Sequence, residues 1–258
     1  MVRCIFSKKQ TNTKRTFLLL LLCNKDQPTL TPTAAATQQQ QQQLEAGAMS
    51  HQQPDKDVTE FTSGPLPAEG SKFLKPRRIH YKEKGHARVW DAIESHESVA
   101  VLLFHSEKRN FIIVRQFRPP VLMTLRGANP ETVPARAYMY ECCAGICDKP
   151  VSLEQIVKEE IEEECGYDVP LGSISKISSY HTAVGVSGAL QHLYFAQVSE
   201  SQKTGAGGGI ESEVIEVVHL PLDEARKFMK DESKPKASGL LFALSWFLLE
   251  FGPTGPKE

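Results

Sequence analysis

GICDKPVSLEQIVKEEIEEECGY, from Gly145 to Tyr167, is the stretch whose reading decides the fold. From Ser152 to Cys165 it has the period of an amphipathic helix, with Ser152 placed as N-cap, Gly166 as the C-terminal stop and no proline between them. With Leu153 at zero and about 100° per residue, Ile156, Val157 and Ile161 fall at roughly 300°, 40° and 80°, one apolar arc. Glu160 and Glu164 lie inside that arc, at roughly 340° and 20°, and Glu163 lies at its edge, at roughly 280°. Glu159 and Glu162 point elsewhere, toward solvent.

Carboxylates on the inward side of a helix repel one another and lose hydration, so such groups are normally paired or bind a metal. Lys158, at roughly 140°, does not share the arc. One reading is a hard divalent cation held by carboxylate oxygens, Mg²⁺ or Mn²⁺. The other is a solvated acidic helix. The wheel alone leaves both open.

Upstream of the helix, Tyr138 to Cys143 reads as a short strand entering the Ala144-Gly145 turn, and 120–137, with three prolines, as a long loop. Val99 to Phe104 is a continuous apolar run, fit for a buried central strand. Phe111 to Val114 follows the polar turn Ser106 to Asn110 as its hairpin partner and runs into RQFRP, Arg115 to Pro119. Residues from 75 onward alternate well enough for antiparallel strands, with Lys84-Gly85 as a turn. Downstream, Ile174 to Tyr180 and Leu190 to Val198 read as strands around the glycine-bearing loop His181 to Gly188. Ser199 to Gly209 ends in three glycines and reads as flexible by composition; it delivers Glu211 and Glu213 to a strand, Val214 to Leu220. Pro221 to Lys230 reads as a helix, and Ser238 to Phe251 as a strongly apolar closing helix too short to span a bilayer.

The chain of 258 residues is 40% hydrophobic and 24% charged, with a formal net charge of −1, which gives no sign of a nucleic-acid or anionic-membrane partner. A zinc reading of Cys142, Cys143 and Cys147 lacks paired knuckles and histidine partners; buried reduced thiols of a cytoplasmic protein fit better. Phe17 to Leu22 is an apolar run after basic residues, marginal for a signal-peptide core and followed by no small-x-small cleavage site. Gln38 to Gln43 sit in a composition that cannot bury a core, and ordinary sequence resumes at Met49. Residues 1–70 are therefore expected to be a disordered extension, whose first 48 residues read as dispensable or as a translated leader.

The stretch resembles the signature of the Nudix hydrolases, G-x5-E-x7-R-E-U-x-E-E-x-G-U with U apolar. Gly145, Glu160, Ile161, Glu163, Glu164, Gly166 and Tyr167 match it, whereas Val151 stands in place of the first glutamate and Glu159 in place of the arginine that orients its neighbours. Outside the box, Gln116 to Pro119, the GVSG turn and the acidic loop after the triglycine are similar to the ADP-ribose/UDP-sugar branch. The resemblance implies an α+β fold, an α/β/α sandwich whose mixed sheet is flanked by helices. An N-terminal antiparallel strand extension (71–98) would serve a homodimer, with a hydrolase domain at 99–252 and a tail at 253–258. It implies metal ligation by Glu160, Glu163, Glu164, Glu213 and the Ala144 carbonyl, and catalytic carboxylates at Glu163, Glu164 and Glu211, with Glu211 or a box glutamate as base. Substrate would be held by Arg118, Gln116, Gly185 and Gly188, with His181 either a phosphate donor or structural. The implied reaction is metal-dependent cleavage of UDP-glucose to UMP and glucose 1-phosphate; ADP-ribose hydrolysis, or binding of nucleotide sugars without turnover, are the alternatives.

Overall fold

A computed structural model describes residues 58, 61–71, 73–125, 136–210 and 212–256. The expectations for residues 1–57 and for Glu211 fall outside the described residues. A mixed sheet lies between two helical layers, the α+β architecture that the sequence implied. Its middle is β3 (Ser98–His105), whose residues are buried from Val99 onward because it runs between both layers. β3 pairs in parallel with β8 (Leu190–Val198), which pairs antiparallel with β7 (Ser175–His181).

On the other side β3 first meets β4 (Asn110–Phe117), but only from Leu103 to His105. Beyond that the two strands diverge. The gap is filled by one extended segment that changes partner at Cys142: β5 (Tyr138–Glu141) pairs with β4, and β6 (Cys143–Ile146) pairs with β3. This wedge places Ala144 and Gly145 opposite Ala100 and Val99, at the mouth of the split. β9 (Ile215–Pro221) covers the outer edge of β4.

Alternation along the strands assigns the two faces. Val99, Val101, Leu103, Ile112 and Val114 pack with Ile156, Val157, Ile161 and Cys165 of the acidic helix. The opposite face carries Phe104, Phe111 and Phe195, whose rings lie 4.9, 4.7 and 5.8 Å from that of Phe247. Of the helices, α1 is Pro119–Thr124, α2 Leu153–Glu160, α3 Ala225–Lys230 and α4 Ser238–Glu250, the last carrying Phe247. α1 occupies the start of the segment read from sequence as loop, with prolines at its first positions where no backbone donor is lost. The helix expected from Pro221 begins only at Ala225, after a 3₁₀ turn, Leu222–Glu224. No described helix is long and apolar enough to cross a membrane.

β1 (Lys75–Glu83) and β2 (His86–Glu94) form a separate hairpin, turned by Lys84 and Gly85 at φ 50° and 82°. Ile79, Tyr81, Val89 and Trp90 on it are all more than two-fifths exposed. Its ties to the body run to the 181–188 loop: Ile93 N–H to Val186 O at 2.7 Å, and Trp90 Nε1–H to Gly185 O at 3.1 Å.

Candidate active site

Ser152 caps α2 as its sequence position requires, its Oγ accepting from Gln155 N–H at 3.2 Å. At Ile161 the winding loosens into a π-helical turn, Ile161–Cys165, which ends at Gly166 in the left-handed region, φ 75°. The looser turn carries Glu163 and Glu164. Glu164 is buried, Glu160 and Glu163 are half-buried and Glu162 is exposed, which is the division expected from the wheel. Glu159 is less open than expected: its carboxylate is held by Lys149 at 2.6 Å and by the Gln155 amide at 3.0 Å.

Glu164 reaches the wedge strand, where its Oε2 accepts the Ala144 N–H at 3.0 Å. Burial pushes its carboxyl up to about 7, helped by the Glu160 and Glu213 charges and opposed by hydrogen bonds from the Cys143 thiol and Ala144 N–H. Glu160 lies over Gly145, and burial followed by repulsion from Glu163 pushes it up to about 7 as well, with Lys149 opposing. The position of Glu160 requires glycine beneath it, because a Cβ there would overlap the carboxylate.

The triglycine segment is not a flexible tether. Gly208 N–H donates to Glu164 O at 2.9 Å and Gly209 N–H to Glu163 O at 3.1 Å, while Thr204 N–H and Gly205 N–H both reach Gly166 O. These bonds satisfy carbonyls that a helix end leaves without partners. Gly207 lies so close to that end that a Cβ on it would stand 2.3 Å from Glu164 O. The segment then leads to Glu213, which is exposed and whose Oε2 accepts the Ile210 N–H at 3.1 Å. Glu213 adds its charge to both Glu160 and Glu164.

Arg118 adds a positive charge near these carboxylates. It stands at the end of β4, its N–H donating to Ala137 O at 2.9 Å, and its guanidinium makes a two-pronged ion pair with Glu141. The Glu164 and Glu213 charges, after that of Glu141, raise its pKa further. Gln116 is half-buried within β4, opposite Met139 and Ile215.

The structure therefore brings together Glu160, Glu163, Glu164, Glu213, Ala144 and Arg118. Gly185 and Gly188 stand on the loop tied to the hairpin; Gly188 O accepts from Nδ1 of the exposed His181 at 2.8 Å. Sequence reading missed Glu141, the Cys143 thiol and the capping role of the glycines. Among the described residues no three His, Cys, Asp or Glu side chains stand in ligating geometry together. Glu164 and Glu213 each spend an oxygen on a backbone N–H instead.

No family model matches the chain. A search of curated proteins finds uridine diphosphate glucose pyrophosphatase NUDT14 of Bos taurus, 38% identical over 197 residues, which are 69% of this chain and 89% of the bovine protein. The Mus musculus protein of the same name is 36% identical over 71% of the chain and 91% of its own length. GDP-mannose pyrophosphatase of Citrobacter koseri is 35% identical over half of the chain and 62% of its own length. Among solved structures, a crystal structure of an ADP compounds hydrolase superposes with a TM-score of 0.53 at 17% identity, over 71% of this chain and 90% of that one, a likeness of fold.

Proposed function

Because the chain belongs to the Nudix hydrolases of the uridine diphosphate glucose pyrophosphatase family, we propose that it hydrolyses the pyrophosphate bond of UDP-sugars. UDP-glucose and water would give UMP and glucose 1-phosphate. The observation that carries this reading is the reach of the likeness: identity with the bovine pyrophosphatase extends over 89% of that protein, far beyond the acidic helix that many substrates share.

The residues fit a hard divalent cation, Mg²⁺ or Mn²⁺. Their donors are carboxylate oxygens and a carbonyl, and Gly145 leaves the space in which Glu160 turns toward the wedge strand. Glu160, Glu163, Glu164, Glu213 and the Ala144 carbonyl are the groups that would hold it. When bound, such an ion polarises phosphate oxygens and acidifies water.

The chain's own groups do the rest. Arg118 offers a planar, permanently charged fork to the phosphates, and Gln116 lies one turn of strand behind it. The attacking water gives its proton to a carboxylate, and Glu164, which is buried and held by the Ala144 N–H, is one candidate for it. Glu163 and Glu211 are the other candidates for this proton. Gly185 and Gly188, on the loop tied to the hairpin, are further candidates for substrate contact.

A two-stranded hairpin with exposed Ile79, Tyr81, Val89 and Trp90 is marginal alone in water. Its cover, in this reading, is a second copy of the chain, giving a homodimer; sedimentation of the full chain tests this. The free thiols Cys142, Cys143, Cys147 and Cys165 suit a reducing compartment, the cytoplasm.

The test is release of UMP from UDP-glucose by the full chain with Mg²⁺, beside AMP from ADP-ribose, with Glu164→Gln as control. UMP formation lost in the variant is the expected result. Faster AMP formation would move the substrate and keep the chemistry. Nucleotide binding without turnover would overturn the hydrolase reading.

A further inference from the structure

Arg118 and Glu141 meet through two parallel hydrogen bonds, Nε to Oε1 at 2.8 Å and Nη2 to Oε2 at 2.5 Å. The Glu141 side chain is 13% exposed and that of Arg118 is 41% exposed, so the carboxylate lies behind and the guanidinium in front. Glu141 ends β5, directly before the Cys142 switch that carries the strand to Ala144. Its place is fixed by the sheet, since Glu141 pairs with Val114 of β4 and Tyr140 N–H donates to Pro235 O at 2.9 Å.

A guanidinium has five N–H groups in one plane. Glu141 takes two along the Nε–Nη2 edge, and among the described residues no acceptor takes Nη1. The end edge, with one N–H from each Nη, then faces away from Glu141 as a second fork suited to two phosphate oxygens. Without Glu141 the same side chain would rotate about its long stem. It would also be drawn onto the Glu164 and Glu213 carboxylates, whose charges it already feels.

We propose that Glu141 is the positioning residue of the phosphate clamp: it fixes the plane of the Arg118 guanidinium so that the Nη1–Nη2 edge meets the pyrophosphate, and it competes Arg118 away from the cation-binding carboxylates. This rests on the pyrophosphatase reading above. Glu141 touches neither substrate nor cation in this role and acts through Arg118.

The test is a double-mutant cycle of the full chain, with Glu141→Gln, Arg118→Ala and both together, followed by UMP release from UDP-glucose and by the Mg²⁺ concentration giving half-maximal rate. Glu141→Gln should lower kcat/KM ~10-fold or more, the scale of a lost charge-assisted hydrogen-bond pair at a phosphate. In the Arg118→Ala background the same change should cost less than about 2-fold. Glu141→Asp should recover part of the rate, and thermal unfolding of all variants should stay cooperative. Losses that multiply, or a kcat/KM of Glu141→Gln within about 2-fold of wild type, would overturn the proposal. So would a shift in the Mg²⁺ requirement that persists without Arg118, which would make Glu141 a metal ligand instead. If the wild type does not turn over UDP-glucose, the pyrophosphatase reading fails on its own. The cycle is then read by calorimetric binding of UMP to the same four proteins, where additivity overturns the Glu141 role and non-additivity sustains it.

Discussion

A Cβ built on Gly145 would lie 1.8 Å from Oε1 of Glu160 and 2.2 Å from its carboxyl carbon. The carboxylate occupies the volume a side chain would need. Gly145→Ala must expel Glu160 while leaving the apolar face of α2 untouched. The expected outcome is a ~100-fold loss of kcat/KM, the scale of an ångström's misplacement at a reacting centre. The unfolding midpoint should change little. Steady-state kinetics beside a thermal melt checks it, and a variant with full activity would remove Glu160 from the site.

Burial holds the Glu160 and Glu164 carboxyls up to about 7 in the folded protein, against 4.5 for a free glutamate. Between those values the folded state binds more protons than the unfolded chain. Stability of the cation-free protein should therefore be fullest below about 4.5 as regards these groups, fall through the window and level off above about 7. Mg²⁺ competes with the same protons, so the rise in Tm that it produces should grow with pH across the window. Glu164→Gln should flatten both trends. Melts with EDTA and with Mg²⁺ across a pH series measure them.

Gly207 sits at φ +70° against the last turn of the acidic helix. Gly207→Ala combines an unfavourable backbone with an overlap on Glu164 O, and the backbone alone should cost ~1–3 kcal/mol. Urea unfolding gives the loss. Activity should fall with it, because the overlap lies on the residue that carries the buried carboxylate.

Tyr167 is fully buried, yet its hydroxyl has no hydrogen-bond partner among the described residues. Tyr167→Phe removes a polar atom that nothing among the described residues satisfies, so stability should hold within about 0.5 kcal/mol or rise. A loss of about 1 kcal/mol or more in urea unfolding would mean that a bridging water satisfies the hydroxyl.

Val151, where the signature has a glutamate, is 45% exposed and is absent from the carboxylate cluster. Val151→Glu should leave stability within ~0.5 kcal/mol. Turnover should likewise move little, as side-by-side UMP assays would show.

The helix, its cap, its stop and its inward carboxylates were legible in the sequence because they follow from local spacing. Val99 to Phe104 was legible for a similar reason, since a strand covered on both faces has to be apolar throughout. The rest depends on partners distant in the chain. Glu141 meets Arg118 only because β5 pairs with β4, and no spacing between the two announces it. The triglycine read as a tether because glycine serves both freedom and close approach, and composition does not distinguish these uses. The π-helical turn has no signal of its own in IEEEC. Where the reading departed from structure it lacked a partner surface rather than a residue.

The hydrogen bonds from Gly208 and Gly209 to the Glu164 and Glu163 carbonyls have a consequence for the birth of the protein. Strands β7 and β8 must be made and placed before that loop can close, so the last turn of the helix gains its partners late in synthesis. A chain halted before Gly209 would carry the whole acidic motif without the support that orders it. Competence for the reaction is thus expected to arrive only as the closing segments emerge, and the carboxylates stay uncommitted on the growing chain until then.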